Sequence, residues 1–367
     1  MVMTNIKEIE KVTLKTLKEA RDACYKAFGE NIDRGTSIEG SCLIITRKPQ
    51  KRIHRFWQEA LIAKIDGKII AGLSPVPYSV RYHDKAIDMV GVGDVFCIEK
   101  GTDAIKKLFS TLYQNYKDFQ ISILYPFSDA YYARYGYAPA LFKEQLVFKR
   151  AYLTRYLRNE TTLHKAEPED IECMNALYDE AAKAFSLTAF RSDPLDWLYN
   201  RYALNDHGYM AYWIFDKRFV IRESVGLTVD EMSAYALKIL PDVEELTINA
   251  VFDQDLFSSL PEHNQHITCY RKLHDMVRII NLEKALYAIP HKGKGSIKLK
   301  VTDEMIAENN RTLLYSWDES MSKIENTDEY DIELDIKALT TLFCLGSVEQ
   351  KYKGAFPLNK CACYEIF

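Results

Sequence analysis

The order of strand-like and helix-like segments between residues 60 and 150 constrains the fold most strongly. Two apolar runs flank Asp66-Gly67, a dipeptide that favours a two-residue β-hairpin. The segments that follow alternate between strand and helix patterns: "AIDMVGVGDVFCIE", "TDAIKKLFSTLYQNYKDF", "ISILYPF", "SDAYYARYGY" and "LFKEQLVFKR". A helix that joins two neighbouring strands makes those strands parallel. We therefore predict an α+β fold in which a mixed sheet has a parallel pair at its middle.

Two further units follow along the chain. The strands "YMAYWIFD" and "RFVIRESV" and the helix "DEMSAYALKIL" repeat the strand–turn–strand–helix order of the first unit, which is consistent with an internal duplication. The stretch "MVRIINLEKAL" predicts a strand that runs into a helix, with Asn281 as the N-cap. We predict three domains, at residues 1–150, 151–275 and 276–367.

The composition excludes several classes of protein. The chain has 48 Lys and Arg against 52 Asp and Glu, which leaves no basic surface for nucleic acid. Its 47% hydrophobic and 27% charged residues are ordinary for a soluble globular protein, and we find no signal peptide and no apolar run of membrane-spanning length. The eight cysteines lack paired spacing, which favours reduced thiols in the cytoplasm. His263 and His266 have no further ligand at metal-binding spacing, so we predict no metal.

The stretch "LYPFSDAYYARYGYAPA", from Leu124 to Ala140, holds five tyrosines around one turn. Ser128 is placed to cap a short helix, and Gly136 permits the left-handed residue that ends it. Such tyrosines commonly pack as half-buried rings whose hydroxyls reach water. A phenol, with an ordinary pKa of about 10, is also protonated at neutral pH and can act as an acid. The residues alone leave both interpretations open.

Four stretches together resemble the enhanced intracellular survival (Eis-type) acetyltransferases of the GNAT superfamily. They are the tyrosine-rich stretch, "GVGDVFCIEK", "MVRIINLEKAL" and the terminal aromatic Phe367. The likeness covers essentially the whole chain. It implies tandem GNAT and GNAT-like domains, the second without cofactor, followed by a sterol-carrier-protein-like domain.

The resemblance implies transfer of an acetyl group from acetyl-CoA, the co-substrate, to a primary amine of a cationic small molecule or peptide. Direct attack of the amine on the thioester needs oxyanion donors, an acid and a proton acceptor. By its position in the family's motif, Tyr132 would be the general acid. The α-carboxylate of Phe367 would take the amine proton, with Glu365 as the second candidate. A terminal strand that is packed only for stability is the alternative role for this chain end.

The resemblance also assigns a site for acetyl-CoA. Seven residues would contact the donor: Val95, Phe96, Cys97, Lys100, Gly101, Thr102 and Ser128. The segment "IEKGTDAIKKLF" has no arginine, whereas the family's phosphate loop has two or three, and Asp103 puts a negative charge where phosphate would bind. On structural grounds alone, Val95 and Cys97 would alternate into a core, and Gly101 to Asp103 would form a loop, a cap and a first helical turn.

Two other functions remain open. A GNAT-derived binding or regulatory protein that has lost catalysis would also explain the shortened phosphate loop, and the third domain could bind lipid. We expect a cytoplasmic homo-oligomer that takes an amine substrate and has neither nucleic acid nor membrane as a partner. Saturable binding of acetyl-CoA separates the enzyme from the non-catalytic protein, because a ligand far above its Kd must stabilise the native state.

Overall fold

The computed structural model describes residues 8–28, 57, 59–99, 101–157, 159–191, 197, 201–249, 265–318, 321–352, 354–363 and 365. The strands are β1 (Glu8–Lys11), β2 (Leu61–Ile65), β3 (Lys68–Tyr82), β4 (Lys85–Cys97), β5 (Ile121–Leu124), β6 (Ala138–Lys149), β7 (His164–Lys165), β8 (Arg201–Leu204), β9 (Tyr209–Phe215), β10 (Arg218–Val225), β11 (Glu245–Asn249), β12 (Ile267–Ile279), β13 (Gly295–Thr302), β14 (Arg311–Trp317), β15 (Ser322–Asn326) and β16 (Ile332–Asp335). The helices are α1 (Leu17–Phe28), α2 (Ala104–Asn115), α3 (Asp129–Ala133), α4 (Arg150–Leu153), α5 (Ile171–Ala182), α6 (Val229–Ile239), α7 (Leu282–Ala288) and α8 (Ile336–Leu345). Over these ranges, no helix has the length and apolar character needed to cross a membrane.

A twelve-stranded sheet forms the body of the molecule, in the order β1-β2-β3-β4-β5-β12-β6-β11-β10-β9-β8-β7. The predicted hairpin joins β2 and β3, with Asp66 and Gly67 both at positive φ. β4 and β5 are the predicted parallel pair, and α2, which connects them, packs on one face. The expectation of a mixed sheet with a parallel pair is confirmed.

The second half of this sheet repeats the first. β9, a turn, β10, α6 and β11 follow one another as β3, a turn, β4, α2 and β5 do, and β10 and β11 are again parallel. At the centre, β12 lies between β5 and β6, and β6 in turn pairs with β11. The β4–β5 pair is therefore extended by β12 of the second unit, and the β10–β11 pair is extended by β6 of the first unit. This exchange of strands joins the two units in one sheet.

β12 crosses the predicted boundary at residue 275, because Met276–Ile279 pair with β5 inside the large sheet. The chain then reaches Asn281, which caps α7 as predicted by accepting from the Lys284 N–H at 2.9 Å. A separate four-stranded sheet, in the order β15-β14-β13-β16, begins only at Gly295. The three domain boundaries stay a prediction, with one strand continuous across the second of them.

The C-terminal sheet packs directly on the first unit. Tyr82 of β3 stacks on Phe343 of α8 with ring centroids 4.2 Å apart, and its hydroxyl donates to the Phe343 carbonyl at 2.7 Å. Buried residues of β3, β5, β12, α7, α8 and the four-stranded sheet form one hydrophobic cluster. The C-terminal domain thus covers one face of the first unit, while α2 covers the other.

Candidate active site

The candidate active site begins where β4 and β5 part. Their pairing ends at Val92 and Leu124, where β5 stops, whereas β4 continues to Cys97. We call the opening between the β4 residues after Val92 and the segment after Leu124 the β4–β5 wedge. Strand backbone at such an opening can direct N–H groups at a ligand instead of at a neighbouring strand, which is the arrangement that oxyanion donors require.

A β-bulge bends β4 inside this wedge. Gly93 opposes Ser74 and Phe96 opposes Gly72, so β4 has two residues against one of β3. Asp94 lies in the left-handed region with a φ of 48°, which is uncommon for a residue other than glycine. Bulges and strained backbone concentrate beside active sites, where they re-aim neighbouring groups. The bulge is therefore an independent indication that this part of β4 serves a site.

The side chains of the three β4 residues assigned to the donor site point in different directions. Phe96 is buried against Gly72, in the cluster that contains α1. Val95 is partly buried against the cluster that contains α2, and Cys97 is exposed. A ligand in the wedge would therefore meet the backbone of Phe96 and not its ring.

The helix that follows the wedge begins with a carboxylate. Asp103 is the N-cap of α2, and its Oδ2 lies 3.1 Å from Lys107 Nζ, one turn later. Its Oδ1 is buried and has no hydrogen-bond partner in the described part of the chain. Gly101 has a φ of 79° with open space where a side chain would stand, and Thr102 Oγ1 donates to the Glu99 carbonyl at 3.4 Å. A helix N-terminus attracts anions, and this one already holds an anion of the protein's own.

Tyr132 lies on α3, the short helix that follows β5. Ser128 caps this helix as predicted, by accepting from the Tyr131 N–H at 3.4 Å. Tyr132 is only 3% exposed and belongs to the cluster that includes Val92, against which Val95 also packs. The candidate acid therefore lies at the side of the β4–β5 wedge.

Aromatic rings enclose Tyr132 and keep it protonated. The ring centroids of Phe127 and Phe109 lie 5.3 and 6.3 Å from that of Tyr132. Burial raises the pKa of Tyr132 well above its ordinary value, and Tyr137 and Tyr135 raise it further. The phenol thus carries its proton throughout the neutral and mildly alkaline range, as an acid must.

Three other tyrosines of this stretch, Tyr131, Tyr135 and Tyr137, have packing roles. The Tyr137 hydroxyl lies 2.6 Å from Ser122 Oγ in the core, and Tyr135 stacks on Phe109 with centroids 4.6 Å apart. Tyr131 is partly buried, with the Arg134 guanidinium 4.5 Å from its ring centroid. These contacts agree with the structural interpretation of the repeated tyrosines.

A buried arginine holds the end of the turn that carries Tyr132. Gly136 ends this turn with a φ of 84°, and a side chain at that position would collide with the guanidinium of Arg278. Arg278 is fully buried in β12 and donates from Nη1 to the Tyr135 carbonyl, which also accepts from the Tyr113 hydroxyl at 2.8 Å. The turn is therefore tied to the exchanged strand β12.

Asp303 of the C-terminal domain balances the charge of Arg278. Both oxygens of the buried Asp303 accept from Arg278 Nη2, at 2.9 and 2.7 Å. The same carboxylate accepts from the N–H groups of Met305 and Ile306 and from Asn309 Nδ2. A buried charge pair is tolerated when such additional hydrogen bonds satisfy it. Through this pair the C-terminal domain orients the residue that holds the turn of the candidate acid.

A second buried arginine holds the C-terminal segment. Arg191 donates to both oxygens of Glu223 on β10, at 2.8 and 2.7 Å, and to Glu365 at 3.1 and 3.0 Å. The Tyr209 hydroxyl also donates to Glu223, and the Arg191 guanidinium lies 3.9 Å from the Tyr178 ring centroid. Glu365, the second candidate for the proton acceptor, is therefore engaged in an ion pair.

Of the β4 residues that the resemblance assigned, the structure packs Val95 against the cluster of Tyr132, while Phe96 lies in another cluster and Cys97 is exposed; the roles of all four residues stay predictions. Lys100 and Phe367 lie outside the described residues, as does His263. Reasoning from the sequence missed the Arg278–Asp303 pair, for which the only signal was an arginine inside the apolar run "MVRIINL". Across the described ranges, no three His, Cys, Asp or Glu side chains are grouped so that they could hold a metal ion.

Comparison with known families agrees with this geometry. Residues 8–140 match the acetyltransferase (GNAT) domain, and residues 282–349 match the sterol carrier protein domain. The chain therefore contains a GNAT acetyltransferase domain followed by a C-terminal sterol-carrier-protein-like domain, and acetyl-CoA is the co-substrate that the first domain implies. None of the curated proteins compared with the chain is similar enough to count as a match.

Solved structures share the fold over nearly the whole chain. A GCN5-related N-acetyltransferase from Anabaena variabilis has a TM-score of 0.76 at 18% identity, and the match covers 98% of this chain and 100% of that chain. A conserved protein of unknown function from Enterococcus faecalis, described as a probable N-acyltransferase, has a TM-score of 0.72 at 19% identity, with 93% and 90% covered. Eis1 from Mycobacterium abscessus has a TM-score of 0.69 at 15% identity, with 98% and 100% covered. At these identities the likeness shows the fold alone.

Proposed function

We propose that the protein is an acetyl-CoA-dependent N-acetyltransferase of the Eis type, which acts on a primary amine of a cationic small molecule or peptide. The observation that carries this proposal is a buried, protonated Tyr132 beside the β4–β5 wedge. The acetyltransferase domain at residues 8–140 and the fold shared with Eis1 support it.

In the proposed reaction the amine nitrogen attacks the carbonyl carbon of the thioester, and the carbon–sulfur bond then breaks. Backbone N–H groups of β4 in the wedge stabilise the oxyanion, as donors aimed at developing charge do. Tyr132 donates to the sulfur as it leaves. Because burial makes this phenol a weaker acid, we expect a hydrogen bond to form as the sulfur becomes negative, with the proton transferred late.

We assign the amine proton to the C-terminal residues, with the α-carboxylate of Phe367 as the first candidate. An α-carboxyl has an ordinary pKa of about 3.5, and each unit of mismatch with the ammonium costs about 1.4 kcal/mol. The carboxylate therefore acts by attracting the cation and passing its proton through water, unless burial raises its pKa. Glu365 is the weaker candidate, because its ion pair with Arg191 stabilises the charged form.

Acetyl-CoA fits this site in part. The wedge presents strand backbone to the pantetheine, and Gly101 leaves open space before α2. Asp103 does not fit a pyrophosphate group, because its carboxylate stands at the helix N-terminus and only Lys107 neutralises it there among the described residues. We therefore expect the wedge to contribute more to donor binding than the α2 terminus does.

Replacement of Tyr132 by Phe tests the acid, because it keeps the ring and removes the proton. We expect kcat to fall by roughly 10² while acetyl-CoA affinity changes little. Release of CoA would be followed with a polyamine and an aminoglycoside as the amine probes, and Tyr131→Phe on the same helix is the control. Because the protonated form is the active one and its pKa is raised, wild-type activity should show no loss from Tyr132 between about pH 7 and 10. If Tyr132→Phe turned over at the wild-type rate while chemistry was rate-limiting, Tyr132 would not be the acid.

The second candidate function is a non-catalytic GNAT-derived binding or regulatory protein. The carboxylate of Asp103 at the start of α2 favours it, because that charge repels the phosphates of the donor. Thermal unfolding with and without millimolar acetyl-CoA decides between the two functions. A saturable rise in Tm supports the enzyme, and an unchanged Tm supports the non-catalytic protein.

A further inference from the structure

The second unit contains its own opening between parallel strands. β10 and β11 pair from Arg218 with Glu245 to Ile221 with Ile248. Immediately beyond this pairing, the register of β10 with β9 shifts, so that Arg222 is an extra residue in β10. The bulge of β4 likewise follows the end of its pairing with β5. The duplicated fold therefore places Arg222 where the first unit has its candidate site.

The guanidinium of Arg222, a half-buried residue, has no carboxylate partner among the described residues. It lies 4.2 Å from the ring centroid of Trp213, on the neighbouring strand β9. In the described part of the chain it makes no ion pair within 4.0 Å and donates no hydrogen bond, whereas Arg191 and Arg278 each donate to both oxygens of a carboxylate. Charged groups that lose part of their hydration are normally paired, so an unpaired one at the opening between two strands is suited to an anionic ligand.

The surroundings of Arg222 do not supply that partner. Burial lowers the pKa of Arg222, and the nearby Tyr125, Asp275 and Glu223 offset this only in part. Glu223 is already engaged by Arg191. The position thus combines a desolvated positive charge with an aromatic platform that holds the guanidinium plane in one orientation.

The neighbourhood of Arg222 reaches the segment that carries the candidate acid. Tyr125 directly follows β5, is 52% exposed, and accepts from Lys143 Nζ at 3.2 Å. Tyr125 and Arg222 influence each other electrostatically, so they lie near each other where the two units meet. Three residues after Tyr125, Ser128 begins the turn of Tyr132. A molecule held at Arg222 would therefore lie near the segment that leads into the turn of Tyr132.

We propose that Arg222, held against Trp213, is a carboxylate-binding residue at the place where the two units meet. A single planar guanidinium matches a planar monoanion through two parallel hydrogen bonds. The negative charges of Asp275 and Glu223 nearby disfavour a dianion such as a phosphate monoester. Resting on the proposed function, we infer that the acceptor carries a carboxylate besides its amine, as amino acids and peptides do.

The carboxylate site is tested first without acetyl-CoA. Wild-type protein is titrated with hippurate and with hippuramide, which differ in the carboxylate alone, to about 50 mM, and tryptophan fluorescence is recorded. We expect saturation by hippurate only, with affinity at least about tenfold weaker in Arg222→Gln, because the variant loses the charge-assisted hydrogen bonds to the carboxylate. Arg155→Gln is the matched control, because Arg155 is exposed and likewise lies over an aromatic ring, that of Tyr152. If Arg222→Gln does not fold, Arg222→Lys keeps the positive charge but lacks the two parallel N–H donors of the guanidinium, so it should also weaken hippurate binding.

Each of the following results would overturn the assignment. They are no saturable response to hippurate in the wild type, equal responses to hippurate and hippuramide, or a hippurate affinity that Arg222→Gln leaves unchanged. A response to inorganic phosphate that depends on Arg222, with none to hippurate, would also reject the carboxylate. Since the titration needs no turnover, failure of acetyl transfer leaves its result intact. With acetyl-CoA present, glycylglycine should be a better acceptor than its amide, and Arg222→Gln should abolish that preference.

Discussion

Substitution of Asp303 by Asn perturbs the contact between the C-terminal domain and the turn of Tyr132 at a single atom. The carboxylate accepts from Arg278 Nη2 with both oxygens, from two backbone N–H groups and from Asn309 Nδ2. Asparagine offers one acceptor oxygen, and its NH₂ group would face donors of Arg278 or Asn309. The variant therefore leaves the fully buried charge of Arg278 without a carboxylate.

The expected cost follows from this geometry. Removal of one member of a buried ion pair destabilises a protein by about 3–5 kcal/mol, because the remaining charge stays buried and unpaired. For a domain of this size, each kcal/mol lowers Tm by about 2–4 °C, so we expect a fall of about 10 °C in Asp303→Asn. The Tyr135 carbonyl keeps its hydrogen bond from Tyr113, and the altered Arg278 should lower kcat through the position of Tyr132.

Thermal unfolding followed by circular dichroism measures the effect, with two variants for comparison. Asp335→Asn carries the same substitution in the same domain, at the N-cap of α8, where Asp and Asn are equally good, so its Tm should stay close to wild type. Tyr113→Phe removes the other hydrogen bond to the Tyr135 carbonyl and should cost about 1 kcal/mol. If Asp303→Asn melted within about 2 °C of the wild type, the pair would not be the link between the two domains that we infer.

Two further predictions concern the donor and the proton acceptor. Asp103→Asn should bind acetyl-CoA about fivefold more tightly at low salt, since two unit charges about 4 Å apart in water repel by about 1 kcal/mol. Calorimetry at two salt concentrations measures this affinity, and the increase should be smaller at high salt. The control Asp230→Asn, in the first turn of α6, should leave acetyl-CoA affinity unchanged. Addition of two alanines after Phe367 moves the α-carboxylate and leaves every side chain in place, so turnover should fall while acetyl-CoA binding persists. If the extended protein turned over at the wild-type rate, the α-carboxylate would have no role in the mechanism.

Several turns and helix caps were predictable because residues close together in the sequence determine them. The hairpin at Asp66-Gly67 and the caps at Ser128 and Asn281 depend on residues a few positions apart, and the structure has each of them as predicted. The helix between β4 and β5 makes those strands parallel for a similar reason, since only a crossover connection lets the second strand run in the same direction. The candidate acid Tyr132 came from family resemblance, and no period or spacing distinguished it from the neighbouring tyrosines.

The tertiary structure decided which distant residues meet. The two-residue alternation of apolar side chains predicts which face of a sheet a side chain occupies, but it does not predict which strand lies alongside. The insertion of β12 between β5 and β6 could therefore not be predicted from the sequence pattern. The pairing of Arg278 with Asp303 depends on that insertion, because β12 brings the guanidinium beneath the turn of Tyr132. The bulges at Asp94 and Arg222 are likewise shifts in register against a partner strand, which the local sequence alone does not reveal.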